Sequence, residues 1–106
     1  MRTVRDVIDA QADERGEAVF LTTRDGDELT FSELQKSCIS FSGLLIERGI
    51  FPGDSVAFAM PNGLDTVRVI LGSLYAGCLT TAVNLIAGAT TISYVLEHSD
   101  ARAVFV

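Results

Sequence analysis

Between Arg68 and Glu97 the chain carries no charged side chain. An uncharged run of that length belongs either in a bilayer or in the interior of a layered domain. A membrane helix needs roughly 20 predominantly apolar residues, and hydropathy length alone would allow one. The make-up of the run argues for the interior. Gly72, Gly77, Asn84 and Gly88 interrupt it, as do Thr80, Thr81, Thr90 and Thr91. Leu64, Val67, Leu71 and Leu74 recur at helical spacing, and Gly77 then ends the pattern. Cys78 to Val83 reads as a short extended segment rich in strand formers. The stretch from Leu64 to Asn84 is therefore predicted as a buried helix followed by a buried strand.

The rest of the chain has matching punctuation. Thr3 and Asp6 have capping-box spacing and open a first helix, with Val4, Val7, Ile8 and Gln11–Ala12 on its apolar face and Asp9, Asp13, Glu14 and Arg15 toward solvent. Gly16 ends that helix. Ala18 to Thr23 reads as a strand, Asp25-Gly26 as a tight turn and Glu28 to Phe31 as the returning arm of a hairpin. Thr30 and Glu33 form a second capping box. Leu34, Cys38, Phe41 and Leu45 then lay out the core stripe of a second helix, with Glu47 and Arg48 outside and Gly49 just past its end. Pro52-Gly53 is a turn. Asp54 to Met60 is nearly continuously apolar, as suits a strand buried on both faces. Pro61-Asn62-Gly63 breaks it. Asn62 is placed to cap the third helix, Leu64 to Ala76, with Asp65 at its capping-box position. After the strand Leu79 to Val83 come a loop at 85–88, a short helix carrying Ile92, Val95 and Leu96, a turn at 100–102 and a strand beginning at Ala103.

Strand–helix alternation from Asp54 onward predicts right-handed βαβ units on a parallel sheet. The fold class is α/β: a partial doubly wound parallel sheet, preceded by a helix and a short β-hairpin. A chain of 106 residues makes at most one domain. A parallel sheet needs cover on both faces, and the last strand is still running at Val106. Residues 1–106 are thus expected to form a single, incomplete domain. Hydrophobic residues make up 48% and mean hydropathy is +0.35, so some apolar surface is expected to need a cover from outside these residues.

Charge excludes several functions. The net charge is −6, and the cations are Lys36 and seven scattered arginines. With no basic patch, nucleic acid and anionic membrane are poor partners. Cys38 and Cys78 sit within apolar patterns and read as free, buried thiols, not as a zinc or disulfide framework. The N-terminus lacks the apolar core of a signal peptide, and the expected location is cytoplasmic.

Candidate catalytic groups are sparse. His98 is the sole histidine and lies near a predicted helix end. Asp25-Gly26-Asp27-Glu28 lacks the further spaced ligands of a calcium loop and reads as a hairpin turn. Ser37, Ser40, Ser42 and Ser73 fall within helices with no base partner visible in the sequence. Gly72 and Gly77 form no dinucleotide fingerprint, because Gly77 follows a helix instead of preceding one. The expectation is no catalytic, no cofactor-binding and no metal-binding residue in this chain.

Five motifs in order then carry a resemblance. Leu29-Thr30-Phe31-Ser32-Glu33-Leu34 is similar to Leu-Thr-Tyr-x-Glu-Leu, the first core motif of the adenylate-forming (AMP-binding) enzymes. Gly49 to Ala57 is similar to their Gly-Val-x-x-Gly-Asp-x-Val-Ala. Pro61-Asn62 follows as in that family. Leu74-Tyr75-Ala76-Gly77 through Asn84 resembles the second core motif, Leu-Lys-Ala-Gly ending in Pro-Leu-Asn or Pro-Ile-Asp. Tyr94 to Ser99 resembles Tyr-Ile-Leu-x-x-Ser. The likeness spans nearly the whole chain and is nearest in flavour to bacterial acyl- and aryl-CoA ligases. Departures are Ala82 where the family has Pro, Tyr75 where it has Lys, and Leu85-Ile86-Ala87 where a basic residue is common, so no CoA contact is carried over there.

The resemblance implies the N-terminal part of the large domain of an acyl-CoA synthetase-like fold. It also implies a parent enzyme that uses ATP, Mg²⁺ and CoA to turn a carboxylic acid into an acyl-adenylate and then an acyl-CoA. The family's phosphate loop, its Tyr-x-x-Thr-Glu segment, its ribose-binding Asp and its catalytic Lys have no counterpart before residue 106. The segment is expected to be inert by itself, with the remainder of the ligase chain as its partner. Two other readings make different demands: a non-catalytic module that self-associates through its open sheet edge, and a small flavodoxin-like nucleotide-binding domain.

Overall fold

A computed structural model describes residues 3–60, 63–82 and 101–105. Helix α1 (Val4–Arg15) leads into strands β1 (Val19–Thr22) and β2 (Glu28–Thr30). Helix α2 (Phe31–Glu47), strand β3 (Ser55–Phe58), helix α3 (Leu64–Tyr75) and strands β4 (Leu79–Ala82) and β5 (Ala101–Phe105) follow. β1 and β2 form an antiparallel hairpin. β3 lies between β4 and β5, parallel to both. The α/β class, the parallel sheet and the preceding helix and hairpin match the sequence reading.

Local chemistry sets most boundaries. In α1 the Thr3 hydroxyl accepts from the Asp6 amide and the Asp6 carboxylate accepts from the Thr3 amide, at 3.1 and 3.0 Å. In α2 Thr30 and Glu33 make the same reciprocal pair at 3.2 and 2.9 Å. Each box satisfies amide donors that a helix start otherwise leaves unpaired. Past the end of α2 the chain turns at Gly49, with φ +76°, a left-handed conformation that suits glycine.

α2 is the pillar of the core. Leu34 and Cys38 pack with Ile8, Leu29 and Tyr75, while Leu45 packs with Ile50, Val56 and Cys78. The predicted stripe is thus in place, with Phe41 partly buried against the second cluster and its ring 5.0 Å from that of Phe105. β3 is the buried centre of the sheet: Val56 and Ala57 are fully enclosed.

Three expectations are corrected and one is refined. The N-cap of α3 is Gly63, with no side-chain cap bond, so the helix begins one residue later than an Asn62 cap requires; Asn62 itself lies outside the described residues. Asp65 bonds instead to Arg68, at 3.1 Å. The most deeply buried positions of α3 are Thr66, Val69, Gly72, Ser73 and Tyr75, while Leu64, Val67, Leu71 and Leu74 are half-buried, Leu64 and Leu71 against the first core cluster. The helix is covered on more than one side, as its apolar positions at Val69, Ile70 and Tyr75 suggested. Gly72 sets the deepest contact: a Cβ there would lie 2.9 Å from the Phe41 Cβ, so α2 approaches on the side where α3 has no side chain. Asp9, whose side chain stays 40% exposed, is more than a solvent-side charge: it is a hydrogen-bond acceptor for two other helices. Finally, Ala101 and Arg102 are already strand. β5 absorbs the extra residue as a register shift opposite Ser55 and Val56. The predicted loop at 85–88 and the helix of Ile92, Val95 and Leu96 lie outside the described residues.

Candidate functional site

Among the described residues, a polar constellation linking several elements sits where α1, α2 and α3 meet. Tyr75, in the last turn of α3, is 6% exposed. Its Oη donates to Oδ1 of Asp9 at 2.7 Å, and Nε2 of Gln35 donates to the same oxygen at 3.0 Å. Nε of Arg5 is 4.0 Å from the other carboxylate oxygen, and the Arg5 guanidinium lies 5.2 Å above the Tyr75 ring. The hydrogen bonds from Tyr75 and then Gln35 hold the Asp9 carboxyl below its ordinary value of 3.8, with Arg5 assisting. Burial, reinforced by the bond to Asp9, pushes the Tyr75 phenol upward.

This arrangement ties three helices together. Its donors hold the Asp9 carboxyl ionised at neutral pH, and burial with the bond to Asp9 holds the Tyr75 phenol protonated. The thiols are quiet. Burial, with the Asp9 charge adding to it, pushes Cys38 up to about 11, and burial followed by the Asp54 charge raises Cys78. A nucleophilic cysteine needs the opposite shift. Both cysteines are free and buried, as their apolar settings predicted.

The other sequence candidates are dispersed. Ser37 and Ser40 lie along α2. The hydroxyls of Ser42 on α2 and Ser73 on α3 are buried without a hydrogen-bond partner among the described residues. Asp25 to Glu28 form the hairpin turn, where the Asp27 amide donates to the Thr23 hydroxyl at 3.0 Å and Gly26 takes φ +93°. Among the described residues no three His, Cys, Asp or Glu side chains converge as a metal site, and no helix is long and apolar enough to cross a membrane. His98 lies outside the described residues. The Asp9–Tyr75–Gln35 cluster was missed by sequence reasoning. Its only sequence signal is that Tyr75 occupies a position where a core motif would carry Lys.

Concavities among the described residues include an apolar one and a groove. An apolar cavity of 330 Å³ is lined by Val4, Val7, Phe20, Phe31 and Leu34 among others. A groove of 310 Å³ runs along the outer side of α2, past Ile39, Gly43 and Ile46 to Tyr75 and Pro52. Neither contains a converging set of polar groups of the kind that fixes a small substrate.

Comparison with known proteins supplies what this geometry lacks. The family model described as "AMP-binding enzyme" matches residues 8–106. The chain is 32% identical over 85 residues to a sulfoacetate–CoA ligase of Cupriavidus necator, covering 80% of this chain and 17% of that protein. It is 32% identical over 98 residues to the phosphinothricin tripeptide synthetase PhsB of Streptomyces viridochromogenes, covering 92% and 8%. A benzoate CoA ligase from Burkholderia xenovorans LB400 shares the fold, with a TM-score of 0.87 at 24% identity over 98% of this chain and 21% of that one. The chain spans less than a fifth of the length of these curated relatives.

Proposed function

This chain belongs to the AMP-binding enzyme family, and on that premise we propose that it is the N-terminal scaffold segment of an ATP-dependent acid–CoA ligase, inert by itself. In the parent reaction a carboxylate oxygen attacks the α-phosphorus of ATP and pyrophosphate leaves. The thiol of CoA then attacks the acyl carbon and AMP leaves. Such a step needs a preorganised phosphate clamp, a metal and a cation. The described residues do not fit that requirement: the one lysine, Lys36, is exposed on the outside of α2, far in role from any glycine-rich loop, and no step is routed through this segment.

The observation that carries the reading is that the family match runs from residue 8 to residue 106, while the Asp9–Tyr75–Gln35 cluster joins helices. The work proposed for the segment is to seat β3 between two parallel neighbours and to brace the sheet with α2 and α3. ATP, Mg²⁺, CoA and the acid are proposed ligands of the parent enzyme, and the remainder of that chain is the proposed partner. Cytoplasm is the proposed location, in keeping with two unpaired cysteines.

ATP–pyrophosphate exchange tests this. The parent protein should exchange label with at least one fatty, aromatic or short sulfonated acid, and the 106-residue chain with none. Exchange by the short chain would refute inertness, and no exchange by the parent with any acid would refute the ligase. The similarity to a peptide synthetase supports a second reading, an adenylation domain serving a carrier protein. A parent that activates an acid but releases acyl product only onto a carrier thiol, never onto CoA, would favour it.

A further inference from the structure

α2 buries one face in the core, but its opposite face is not the charged surface such a helix normally presents. Ile39 and Ile46, two turns apart, are 52% and 57% exposed. Gly43 lies between them, and a side chain added there would meet nothing within 4 Å. At about 100° per residue, Ile39 and Ile46 form a row on one side of Gly43, while Lys36, Ser40 and Glu47 form a row on the other. Lys36 and Glu47 are eleven residues, three turns, apart, and both are exposed. Among the described residues neither is in an ion pair. The apolar row borders the 310 Å³ groove that ends at Tyr75 and Pro52.

From this pattern we infer that the outer face of α2 is a self-association surface that seats α2 of a second copy, antiparallel, across a two-fold axis near Gly43. The symmetry selects the occupant. A two-fold perpendicular to the plane of two antiparallel helices brings each row opposite its own reversed copy. The isoleucine row meets the isoleucine row. The charged row meets itself end for end, which sets Lys36 of each copy against Glu47 of the other. A same-sign row would repel itself, whereas this one is self-complementary, as isologous contacts require. Gly43 at the centre removes the side chain that would otherwise hold the two helices apart. Because one helix face is a small contact, the association is at the weak end of protein interfaces. The proposal concerns α2 alone and does not depend on the ligase reading.

Sedimentation velocity of the 106-residue chain from low micromolar to submillimolar concentration is the test. The expected result is a reversible monomer–dimer equilibrium that Ile46→Lys weakens by roughly tenfold or more, as for a central contact residue. Lys36→Glu and Glu47→Lys should each weaken it, and the double swap should restore it, with the restoration lost in high salt. A chain that stays monomeric overturns the proposal. So does a dimer indifferent to Ile46→Lys, which would point to the sheet edge, and so does a double swap no better than either single change. Ser40→Cys gives an independent readout. With both native thiols buried, a short bismaleimide should link two copies through position 40 far more efficiently than through Glu14→Cys on α1, and equal linkage would refute the arrangement.

Discussion

Tyr75 and Asp9 are 66 residues apart in sequence and 2.7 Å apart in the structure. The phenol at the end of α3 donates to a carboxylate in the middle of α1, and Gln35 of α2 donates to the same oxygen. Three helices are thereby tied at one atom. This bond has no local component: it exists only if α1 lies across both of the other helices.

Tyr75→Phe removes the donor and keeps the ring. The variant should unfold about 1 kcal/mol more easily in urea at neutral pH, a modest value because Asp9 is partly solvated. The pH dependence has a definite sign. The folded-state pKa of Asp9 is below its ordinary 3.8, so its bonds contribute stability that is fully present above that value and is lost as pH falls through the folded pKa. The gap between wild type and Tyr75→Phe should narrow below pH 3.8. A gap unchanged by acid would show that Asp9 is not the acceptor that matters.

Gly72 is where α2 and α3 come closest. An alanine Cβ would sit 2.8 to 3.0 Å from three atoms of Phe41, one of them the Phe41 Cβ, which cannot swing away. Gly72→Ala should cost about 1–3 kcal/mol through overpacking, even though alanine is the better helix former. Thermal melts of Gly72→Ala beside Gly43→Ala, where the space is open, separate the two effects. The second change should be neutral or stabilising.

Thr30 both ends β2 and caps α2. Thr30→Ala breaks the reciprocal bonds with Glu33 and should destabilise the chain by about 1 kcal/mol. Thr30→Ser should recover most of the loss, since the hydroxyl is what caps. Equal stability of the alanine and serine variants by chemical denaturation would refute the capping role.

Cys38 and Cys78 should resist a thiol reagent at pH 8. Burial raises both, Cys38 to about 11, so little thiolate is present and access is blocked. Labelling in native buffer should follow the rate of opening of the fold and become immediate in denaturant. Fast labelling in native buffer would contradict the enclosed setting of these side chains.

The sequence by itself determined every described element, because capping boxes, turn glycines and apolar repeats act over three or four residues along one chain. Thr3, Thr30, Gly49 and the α2 stripe of Leu34, Cys38 and Leu45 were legible for that reason, and the ordered core motifs were enough to point to the family. Tertiary structure alone decided which positions of α3 are most deeply buried, because Thr66, Gly72 and Ser73 register poorly on any hydropathy reading while the missing side chain of Gly72 dictates the approach of α2. It alone converted Asp9 from an apparent surface charge into a three-helix anchor. It also showed that Ile39 and Ile46 face outward, since outward is defined only once the core has chosen the opposite side of the helix.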